Sequence, residues 1–310
     1  MVLTESMVVT HGSLQRAGAR CALTIGNFDG VHRGHRALID RVIAKARELD
    51  LTSCDLTFEP HPREFFAADS APARLTRLRD KLELMAAAGV ERVHLARFDT
   101  RFAALTAQRF IEEVLVYGLG AQWLLVGRDF RFGARRAGDY ATLEAAGAQY
   151  GFAIESMADV LFEGARVSSS AVRAALKAGD LVTAERLLGH SYTISGRVAH
   201  GAKLGRSLGF PTANIVLRRP SPLSGIFVVE VDRLGRGVAS LGRRPTVNPV
   251  PVPLLEVHLF DQHDELYGEH LRVRFLKKLR DEEHFSGLEA LKEAIADDAR
   301  RAREYFASNG

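Results

Sequence analysis

Short apolar stretches alternate with segments of helical periodicity between residues 20 and 188. Apolar runs bounded by turn residues predict strands and a 3.6-residue apolar period predicts helices, so this alternation indicates a parallel, doubly wound α/β sheet. The predicted strands are Cys21–Ile25, Cys54–Phe58, Arg92–Ala96, Gln122–Val126 and Phe152–Glu155. The predicted helices are Gly34–Leu49, Leu75–Ala88, Thr106–Tyr117 and Ser170–Lys177, the last with Ser170 as its N-cap.

The pattern changes after a short helix predicted at Leu181–Leu188, which Gly189 ends. Beyond it, alternating β-branched runs are separated by glycine, proline and asparagine with no helices between them, which predicts a small antiparallel β-barrel. A final helix is predicted with Ser286 and Glu289 as a capping box. We therefore predict two domains, residues 1–187 and 188–310. The predicted barrel strands are Tyr192–Val198, Ile226–Val231, Val238–Leu241, Leu255–Phe260 and Leu271–Leu276.

Composition places the 310-residue chain among soluble globular proteins, with 46% hydrophobic and 26% charged residues. The net charge of +4 suits anionic ligands, but the basic residues are scattered, so no nucleic-acid partner is expected. The two cysteines, Cys21 and Cys54, lie in apolar runs, which argues against a disulfide framework or a zinc site and for a reducing cytoplasm. We expect no signal peptide, no membrane span, and a monomer or a weak homo-oligomer.

The segment from Gly26 to His35 carries the strongest functional pattern, between the first predicted strand and its helix. It reads Gly-Asn-Phe-Asp-Gly-Val-His-Arg-Gly-His. A glycine-rich turn at a helix start directs unpaired N–H groups and the positive end of the helix dipole at its ligand, which predicts a phosphate site. His32 and His35 can reach the same phosphate. The pattern differs from the P-loop and dinucleotide fingerprints and resembles the nucleotidyltransferase superfamily.

Three further segments with reactive side chains fall at or near the carboxyl ends of predicted strands, where open parallel sheets bind ligands. They are Phe58–Pro62, Val126–Gly133 and Arg166–Arg173. Their convergence on one rim predicts a single active site. Each also has a structural interpretation: a rigid turn for the first, an edge strand for the second, and a serine helix cap for the third.

In the barrel half, the segment Gly196–Asn214 combines many glycines with the positive charges of Lys203 and Arg206, which suit the phosphates of a nucleotide. Thr212 and Asn214 are two residues apart on a predicted extended strand, so their oxygens share one face and fit Mg²⁺. The alternative interpretation of this segment is a flexible hairpin with solvated basic residues.

Glu256 lies on the predicted strand Leu255–Phe260. A carboxylate that faces bound ATP can take the proton from an attacking hydroxyl, and such general-base help contributes about 10²–10⁴-fold in rate. The alternative is a solvated carboxylate on the outer face of the barrel.

Taken together, the segments of the sheet half resemble the FMN adenylyltransferase module of bacterial bifunctional riboflavin kinase/FAD synthetases. The barrel segments resemble the riboflavin kinase module of the same family. Arg33 stands where the family often has leucine and displaces no matched residue. Gly242-Arg243, before Arg244, replaces a more apolar pattern.

This resemblance implies a role for each matched residue. For adenylylation, ATP would be bound by Gly26, Asn27, Phe28, Asp29, Gly30, His32, His35, Gly127, Ser168, Ser169 and Arg173, and the flavin by Phe58, His61, Pro62, Asp129 and Phe130. In the kinase half, ATP would be bound by Gly201, Lys203, Gly205, Arg206, Gly209, Pro211, Thr212 and Asn214, with Mg²⁺ at the last two, and the flavin by Arg244 and Arg280. The implied catalytic residues are His32, His35, Arg173 and Glu256.

The implied activity is phosphorylation of riboflavin to FMN by the barrel domain and transfer of AMP from ATP to FMN, giving FAD, by the sheet domain. Two alternatives stay open at this point. One is another nucleotidyltransferase or a tRNA synthetase fragment, although the chain has no Lys-Met-Ser-Lys-Ser-like loop. The other is a flavin-binding regulator that has lost turnover.

Overall fold

The structure is a computed structural model, and it describes residues 7–12, 19–200, 208–217, 219–244, 252–262 and 265–309. The described chain divides into two compact units. Unit 1 comprises Met1–Pro72 and Leu78–Val167, and unit 2 comprises Ala73–Arg77 and Ser168–Gly310. The domain boundary between residues 187 and 188 stays a prediction.

Unit 1 is built on a parallel sheet, and its described residues form six strands. They are β1 (Val8–His11), β2 (Cys21–Ile25), β3 (Thr52–Glu59), β4 (Arg92–Arg97), β5 (Ala121–Gly127) and β6 (Ala153–Met157). Their order is β1-β4-β3-β2-β5-β6, with every neighbouring pair parallel. The predicted doubly wound sheet is confirmed, and the strands predicted from sequence match β2 to β6 to within two residues at either end.

The strand order reverses at β2, which pairs with β3 on one side and with β5 on the other. In a sheet of this kind, the chain segments that follow the two strands beside the reversal leave a crevice at the carboxyl edge, and ligands bind there. The segments in question begin at Gly26 and Arg128. They are the same segments that the sequence marks as functional.

Helices cover both faces of the sheet. Side chains of the strands alternate between two cores, with Leu23, Leu56 and Leu124 on one face and Trp123 and Leu125 on the other. Burial on both faces explains why the strand sequences are continuously apolar. The helices of unit 1 are α1 (Arg33–Leu49), α2 (Pro62–Phe66), α3 (Leu78–Ala87), α4 (Thr100–Ala103), α5 (Ala107–Arg109) and α6 (Tyr140–Tyr150).

The helix predicted at Thr106–Tyr117 is correct in position and wrong in type. The α-helical turn of α5 continues as a π-helix at Phe110–Val116. The hydroxyl of Thr106 caps its start by accepting the Arg109 N–H at 3.2 Å. The π-helix buries two adjacent pairs of apolar side chains, Phe110 with Ile111 and Val114 with Leu115. All four belong to the core that covers one face of β2 and β5.

Sequence periodicity does not predict β1, α6 or the short hairpin of β7 (Leu161–Phe162) and β8 (Ala165–Arg166). The edge strand β1 is mostly exposed, with Val8 at 58%. Helix α6 is rich in alanine and contains Gly147, so it has no continuous apolar stripe for a periodicity argument to detect.

The described strands of unit 2 form a closed antiparallel barrel in the order β10-β13-β12-β11-β14-β9. They are β9 (Thr193–Ala199), β10 (Ala213–Val216), β11 (Gly225–Val231), β12 (Gly235–Arg244), β13 (Val252–Leu259) and β14 (His270–Arg280). The interior is packed with large side chains; the rings of Phe227 and Phe275, for example, meet edge to face at 5.3 Å. The predicted barrel is confirmed.

Three helices of unit 2 complete the described fold: α7 (Ser169–Ala178), α8 (Leu181–Leu188) and α9 (Leu288–Asn309). Helix α9 packs Ala302 and Phe306 onto the outside of the barrel. Two predicted caps are wrong. Ser168, not Ser170, caps α7 by accepting the Ala171 N–H. The first hydrogen bond of α9 runs from Leu291 N–H to the carbonyl of Gly287, so Gly287 and not Ser286 is its N-cap.

Among the described residues, no helix combines the length and the apolar character that crossing a membrane requires.

Candidate active sites

The turn between β2 and α1 has an unusual backbone. Phe28 and Val31 have positive φ angles of 49° and 40°, and Gly30 has 88°. The left-handed region is a genuine outlier for a β-branched residue and costs about 1–3 kcal/mol. Burial offsets this strain, because the side chains of Phe28 and Val31 pack with Ile39 and Met85 in one core. The turn is therefore held in a fixed shape.

The buried position of Phe28 limits what this residue can do. Its ring is completely inaccessible to solvent. A Cβ at Gly26 would lie 3.1 Å from that ring, so the glycine leaves room for it. The ring of Phe28 therefore cannot make the ATP contact that the resemblance implies at this position. Asp29 is also buried, at 5% exposure.

His32 closes the start of α1. Its Nδ1 accepts the backbone N–H of His35 at 3.3 Å, which makes it the N-cap. Since Nδ1 is the acceptor, the hydrogen of the neutral ring is on Nε2. The side chain therefore satisfies a helix N–H with one nitrogen and carries its hydrogen on the other. Gly34 makes room for this ring, because a Cβ there would lie 3.2 Å from its Cε1 and Nδ1.

The ring of His35 stacks on that of His32, with centroids 3.7 Å apart and an interplanar angle of 14°. Burial lowers the pKa of His35 well below its ordinary value, and the neighbouring His32 and the positive charge of Lys81 lower it further. His35 is therefore neutral near pH 7. Its Nδ1 is buried and has no hydrogen-bond partner among the described residues. The structure thus brings together the two histidines that the sequence paired.

Sequence reasoning missed Lys81, which contacts the same turn from α3. Its Nζ donates to the carbonyl of Asn27 at 3.2 Å and to the Thr57 hydroxyl at 2.9 Å. Only 4% of this residue is exposed. A lysine in a predicted helix is ordinarily solvated, so no signal in the sequence distinguishes it.

The segment after β3 has a structural role as well as a candidate functional one. His61 caps α2: its Nδ1 accepts the Arg63 N–H at 3.0 Å, and its own N–H donates to Glu64 at 3.1 Å. Pro62 is the first residue of α2. Phe58 lies at the end of β3, and its ring contacts those of Phe98 and Phe102, each at 5.8 Å.

The segment after β5 forms a turn closed by a hydrogen bond from Phe130 N–H to the carbonyl of Gly127 at 3.1 Å. The ring of Phe130 stacks on Phe132 with centroids 5.7 Å apart. Asp129 is exposed and pairs with Arg166 at 3.4 Å. A Cβ at Gly127 would lie 3.3 Å from Asp129 Oδ1, so the glycine permits this close turn.

A cavity of about 690 Å³ lies between β4 and the segment Asp99–Val114. Phe102 lines it and also contacts Phe58. His94 lines it from β4, with its Nδ1 hydrogen-bonded to Thr10 at 2.9 Å. The volume is in the range of small-molecule sites. Its wall thus shares Phe102 with the ring cluster around Phe58.

Ser168, Ser169 and Arg173 belong to unit 2, at and after the start of α7. Ser168 is the helix cap, which is the structural interpretation of the serine segment. The Nε of Arg173 donates to the carbonyl of Ala73 at 2.6 Å within the same unit.

In the barrel, Glu256 on β13 lies directly opposite Asn214 on β10 and opposite Ser240 on β12. Residues opposite each other in an antiparallel ladder point to the same side, so the carboxylate and the carboxamide share one outer face. The Nδ2 of Asn214 donates to the carbonyl of Thr212 at 3.2 Å, which orients its Oδ1. The structure thus brings together the predicted base and a predicted metal ligand.

A hydrogen bond from His258 holds the turn before β10. The sequence did not single out this residue. His258 lies two residues after Glu256, and its Nδ1 is 2.9 Å from the carbonyl of Pro211. A carbonyl only accepts, so Nδ1 carries the hydrogen. Thr212 follows Pro211 and lines a small cavity of about 60 Å³.

Several predicted kinase residues lie outside the described part of the chain: Gly201, Lys203, Gly205 and Arg206, together with the side chain of Arg244. Gly209 is described and has a φ of 89°. Arg280 forms a two-pronged ion pair with Asp298, at 3.0 and 2.6 Å. The side chains are 18% and 5% exposed, so Arg280 has a structural partner that the sequence did not indicate.

The chain combines a parallel sheet, which has a histidine-capped helix at its strand reversal, with a barrel that carries a carboxylate opposite an asparagine. This combination defines a nucleotide-dependent transferase with two sites. Residues 14–171 match the family model of FAD synthetase, and residues 188–306 match that of riboflavin kinase. The chain belongs to the family of bifunctional riboflavin kinase/FMN adenylyltransferases.

Individual relatives agree with this assignment. The chain is 52% identical to the bifunctional riboflavin kinase/FMN adenylyltransferase of Escherichia coli K12, over 96% of each protein. It is 50% identical to the protein of the same description from Pseudomonas fluorescens, over 91% of this chain and 92% of that one. A crystal structure described as a macrolide-efflux protein from Streptococcus pneumoniae has a TM-score of 0.80 at 27% identity, covering 96% of this chain and 99% of that one.

Proposed function

We propose that this chain converts riboflavin to FAD in two ATP-dependent reactions. The riboflavin kinase part, residues 188–306, transfers a phosphoryl group from ATP to the ribityl 5′-hydroxyl, giving FMN and ADP. The FAD synthetase part, residues 14–171, transfers AMP from a second ATP to the FMN phosphate, giving FAD and pyrophosphate. The observation that carries the proposal is that one relative at 52% identity spans both matched regions.

In the kinase reaction, we assign Glu256 as the general base. The ribityl hydroxyl attacks the γ-phosphorus of ATP, its proton passes to the Glu256 carboxylate, and ADP leaves. The position of Glu256 opposite Asn214 supports this role, since a base must reach the proton of the hydroxyl that attacks the bound nucleotide.

Thr212 and Asn214 are the residues that would hold Mg²⁺. They offer neutral oxygens, which fits a cation that takes most of its ligands from water and ATP phosphates. The described residues contain no group of three or more acidic, histidine or cysteine side chains that would hold a metal independently of substrate. When bound, Mg²⁺ would neutralise charge on the phosphates. Asn214 would present Oδ1, because its Nδ2 is engaged by Thr212 O.

In adenylyl transfer, an FMN phosphate oxygen attacks the α-phosphorus of ATP and pyrophosphate leaves. The nucleophile is already ionised, so no base is needed and the protein acts by positioning and charge stabilisation. The amides of the turn 26–32, the dipole of α1 and the Nε2–H of His32 support this role. We assign His35 as a further donor to ATP in unit 1; the roles of Ser168, Ser169 and Arg173 in binding ATP stay predictions of the resemblance.

We place the flavin of the second reaction near Phe58, His61, Pro62, Asp129 and Phe130. The ring cluster that extends from Phe58 to Phe98 and Phe102 supports an aromatic binding surface. His61 is engaged as the cap of α2, so its contribution would come through Nε2. In the barrel, we propose that Arg280 contacts the flavin; Asp298 and the Asp281 carbonyl hold its guanidinium in place.

The two sites can be separated by mutation. Glu256→Gln should lower FMN formation from riboflavin at least about 100-fold and leave FAD formation from supplied FMN unchanged. The matched control is Glu230→Gln, which removes another barrel carboxylate, ion-paired with Arg274; it should leave both reactions unchanged. His32→Ala with His35→Ala should abolish FAD formation and spare the kinase.

Product separation by chromatography with each substrate measures these rates. Loss of both activities in Glu256→Gln would contradict the division into two sites. Flavin binding by the parent chain without ATP consumption would instead favour a regulator that has lost turnover. We further propose a cytoplasmic monomer or weak homo-oligomer that binds neither nucleic acid nor membrane, which light scattering and fractionation test.

A further inference from the structure

Lys81 is a buried cation beside the turn that follows β2. Its ammonium donates to Thr57 Oγ1 at 2.9 Å and to the Asn27 carbonyl at 3.2 Å, and the Thr57 hydroxyl donates to the same carbonyl at 3.3 Å. These hydrogen bonds form a triangle that joins α3, β3 and the turn. The carbonyl of Asn27 is therefore held by two donors.

Packing alone does not account for a lysine here. Removing an ammonium group from water costs several kcal/mol, and an apolar residue of similar volume is often neutral or stabilising in its place. The role of Lys81 is better explained by the group that its ammonium holds, the Asn27 carbonyl. Asn27 directly precedes Phe28, where the backbone turns into the left-handed region. Fixing the Asn27 carbonyl restricts how this strained turn can relax.

We propose that Lys81 is a positioning residue for adenylyl transfer, which holds the turn 26–32 in the shape that receives the ATP phosphates. The inference rests on the proposed function of that turn. Lys81 lies outside the segment Gly26–His35, on helix α3, which follows strand β3.

The charge of Lys81 also acts through space. It contributes, after burial and the neighbouring His32, to lowering the pKa of His35. The groups that face the His35 ring are thus the stacked ring of His32, the ring of Phe28 and the Lys81 ammonium. A fixed positive charge in a poorly solvated place also favours a triphosphate at the turn.

The test compares Lys81→Met, which keeps length and removes charge, with Lys81→Arg, which keeps charge and donors. Lys81→Met should lower kcat/KM for ATP in FAD formation by about 10- to 100-fold, the effect of losing a hydrogen bond from a charged donor. Lys81→Arg should restore most of the rate. Riboflavin phosphorylation should not change. The control is Lys45→Met, since Lys45 is a partly exposed lysine of α1 that pairs with Glu48.

Two readouts separate positioning from a structural effect. The single tryptophan, Trp123, is buried on β5, so its fluorescence follows the unfolding of unit 1. Its unfolding midpoint in Lys81→Met should equal or exceed that of the parent. The pKa of His35, measured by NMR on labelled histidine, should rise in Lys81→Met and stay low in Lys81→Arg, because only the former loses a nearby positive charge.

Each outcome decides the proposal. Parent-like FAD formation by Lys81→Met overturns it, as does equal loss in both variants with an unchanged His35 pKa. Should Lys81→Met lose the Trp123 transition, Lys81→Gln keeps a donor without the charge. An intermediate rate with a raised His35 pKa in that variant then supports the role, and a parent-like rate overturns it. A parent protein that makes no FAD contradicts the proposed function and not the role of Lys81.

Discussion

Gly34→Ala tests whether the position of the His32 ring matters separately from the stability of α1. A Cβ at residue 34 would lie 3.2 Å from Cε1 and Nδ1 of His32, so the ring must move by a few tenths of an ångström. The capping bond from His35 N–H to His32 Nδ1 is already long, at 3.3 Å. A further shift of that size takes it beyond about 3.5 Å, where it is lost.

The effects on stability should nearly cancel. Losing an N-cap costs about 1 kcal/mol, and replacing glycine by alanine within a helix gains up to about 1 kcal/mol. The Trp123 unfolding midpoint should therefore stay close to that of the parent. The displaced donor should still lower kcat/KM for FAD formation by about tenfold, since a misplacement of 1 Å can cost about 10²-fold.

The assay is FAD formation from FMN and ATP, with riboflavin phosphorylation in the same sample as an internal reference. The matched control is Gly287→Ala, where a Cβ would meet nothing within 4 Å; it should leave FAD formation unchanged. If Gly34→Ala formed FAD with the parent kcat/KM, the fixed position of His32 would have no catalytic value and the reasoning would be refuted.

Three further predictions concern buried ionisable groups. Asp298→Ala removes the two-pronged partner of the largely buried Arg280, which keeps the Asp281 carbonyl at 3.0 Å and Glu283 at 3.9 Å. The barrel should lose about 1.5–3 kcal/mol, the contribution of hydrogen bonds to a charged group, seen as a lower urea midpoint for loss of kinase activity; an unchanged midpoint would mean that the pair is dispensable. Burial, then the charges of Arg92 and His11, lowers the pKa of His94 from 6.5 to about 4, so the unfolded chain takes up this proton first and unit 1 should lose stability as pH falls from 6.5 towards 4. The Trp123 midpoint measures this loss, and His94→Leu should reduce the pH dependence; an identical slope in that variant would contradict the assignment. Both carboxyl oxygens of Asp55 are buried and have no hydrogen-bond partner among the described residues, and burial raises its pKa well above the ordinary value. Asp55→Val should therefore raise the Trp123 midpoint by the equivalent of about 1–3 kcal/mol, most strongly at high pH, where the parent must ionise this group; a lower midpoint would show that Asp55 has a partner.

Sequence alone predicted the elements whose signal is local. The strands β2 to β6 are short apolar runs, and their burial on both faces is what such runs encode. The turn at Gly26 was recognisable because glycine and histidine at that spacing have few other uses at a helix start. By contrast, β1 depends on a neighbour, β4, that lies far away along the chain, and its own residues are mostly exposed.

The remaining features depend on tertiary contacts. The π-helix at Phe110–Val116 keeps its apolar residues buried with a repeat that an α-helical template also accepts, so periodicity could not distinguish the two types. Lys81 and the pair of Arg280 with Asp298 are buried charges, which composition-based reasoning assigns to the surface. Ser168 and Ser170 are equally good caps by residue type, and only the observed hydrogen bond chooses between them.

The double use of His32 has a consequence for which side chains can replace it. The nitrogen Nδ1 accepts the main-chain N–H of His35, and the proposed role in ATP binding requires a hydrogen on the other nitrogen, Nε2. A carboxylate can do only the first, and an ammonium or guanidinium only the second. Imidazole and carboxamide alone among common side chains carry both functions on separate atoms. His32→Asn is therefore the replacement with the best prospect of retaining both functions. Few residue types should be tolerated at this position, because the hydrogen-bonding capacity of the side chain, and not its size, limits the choice.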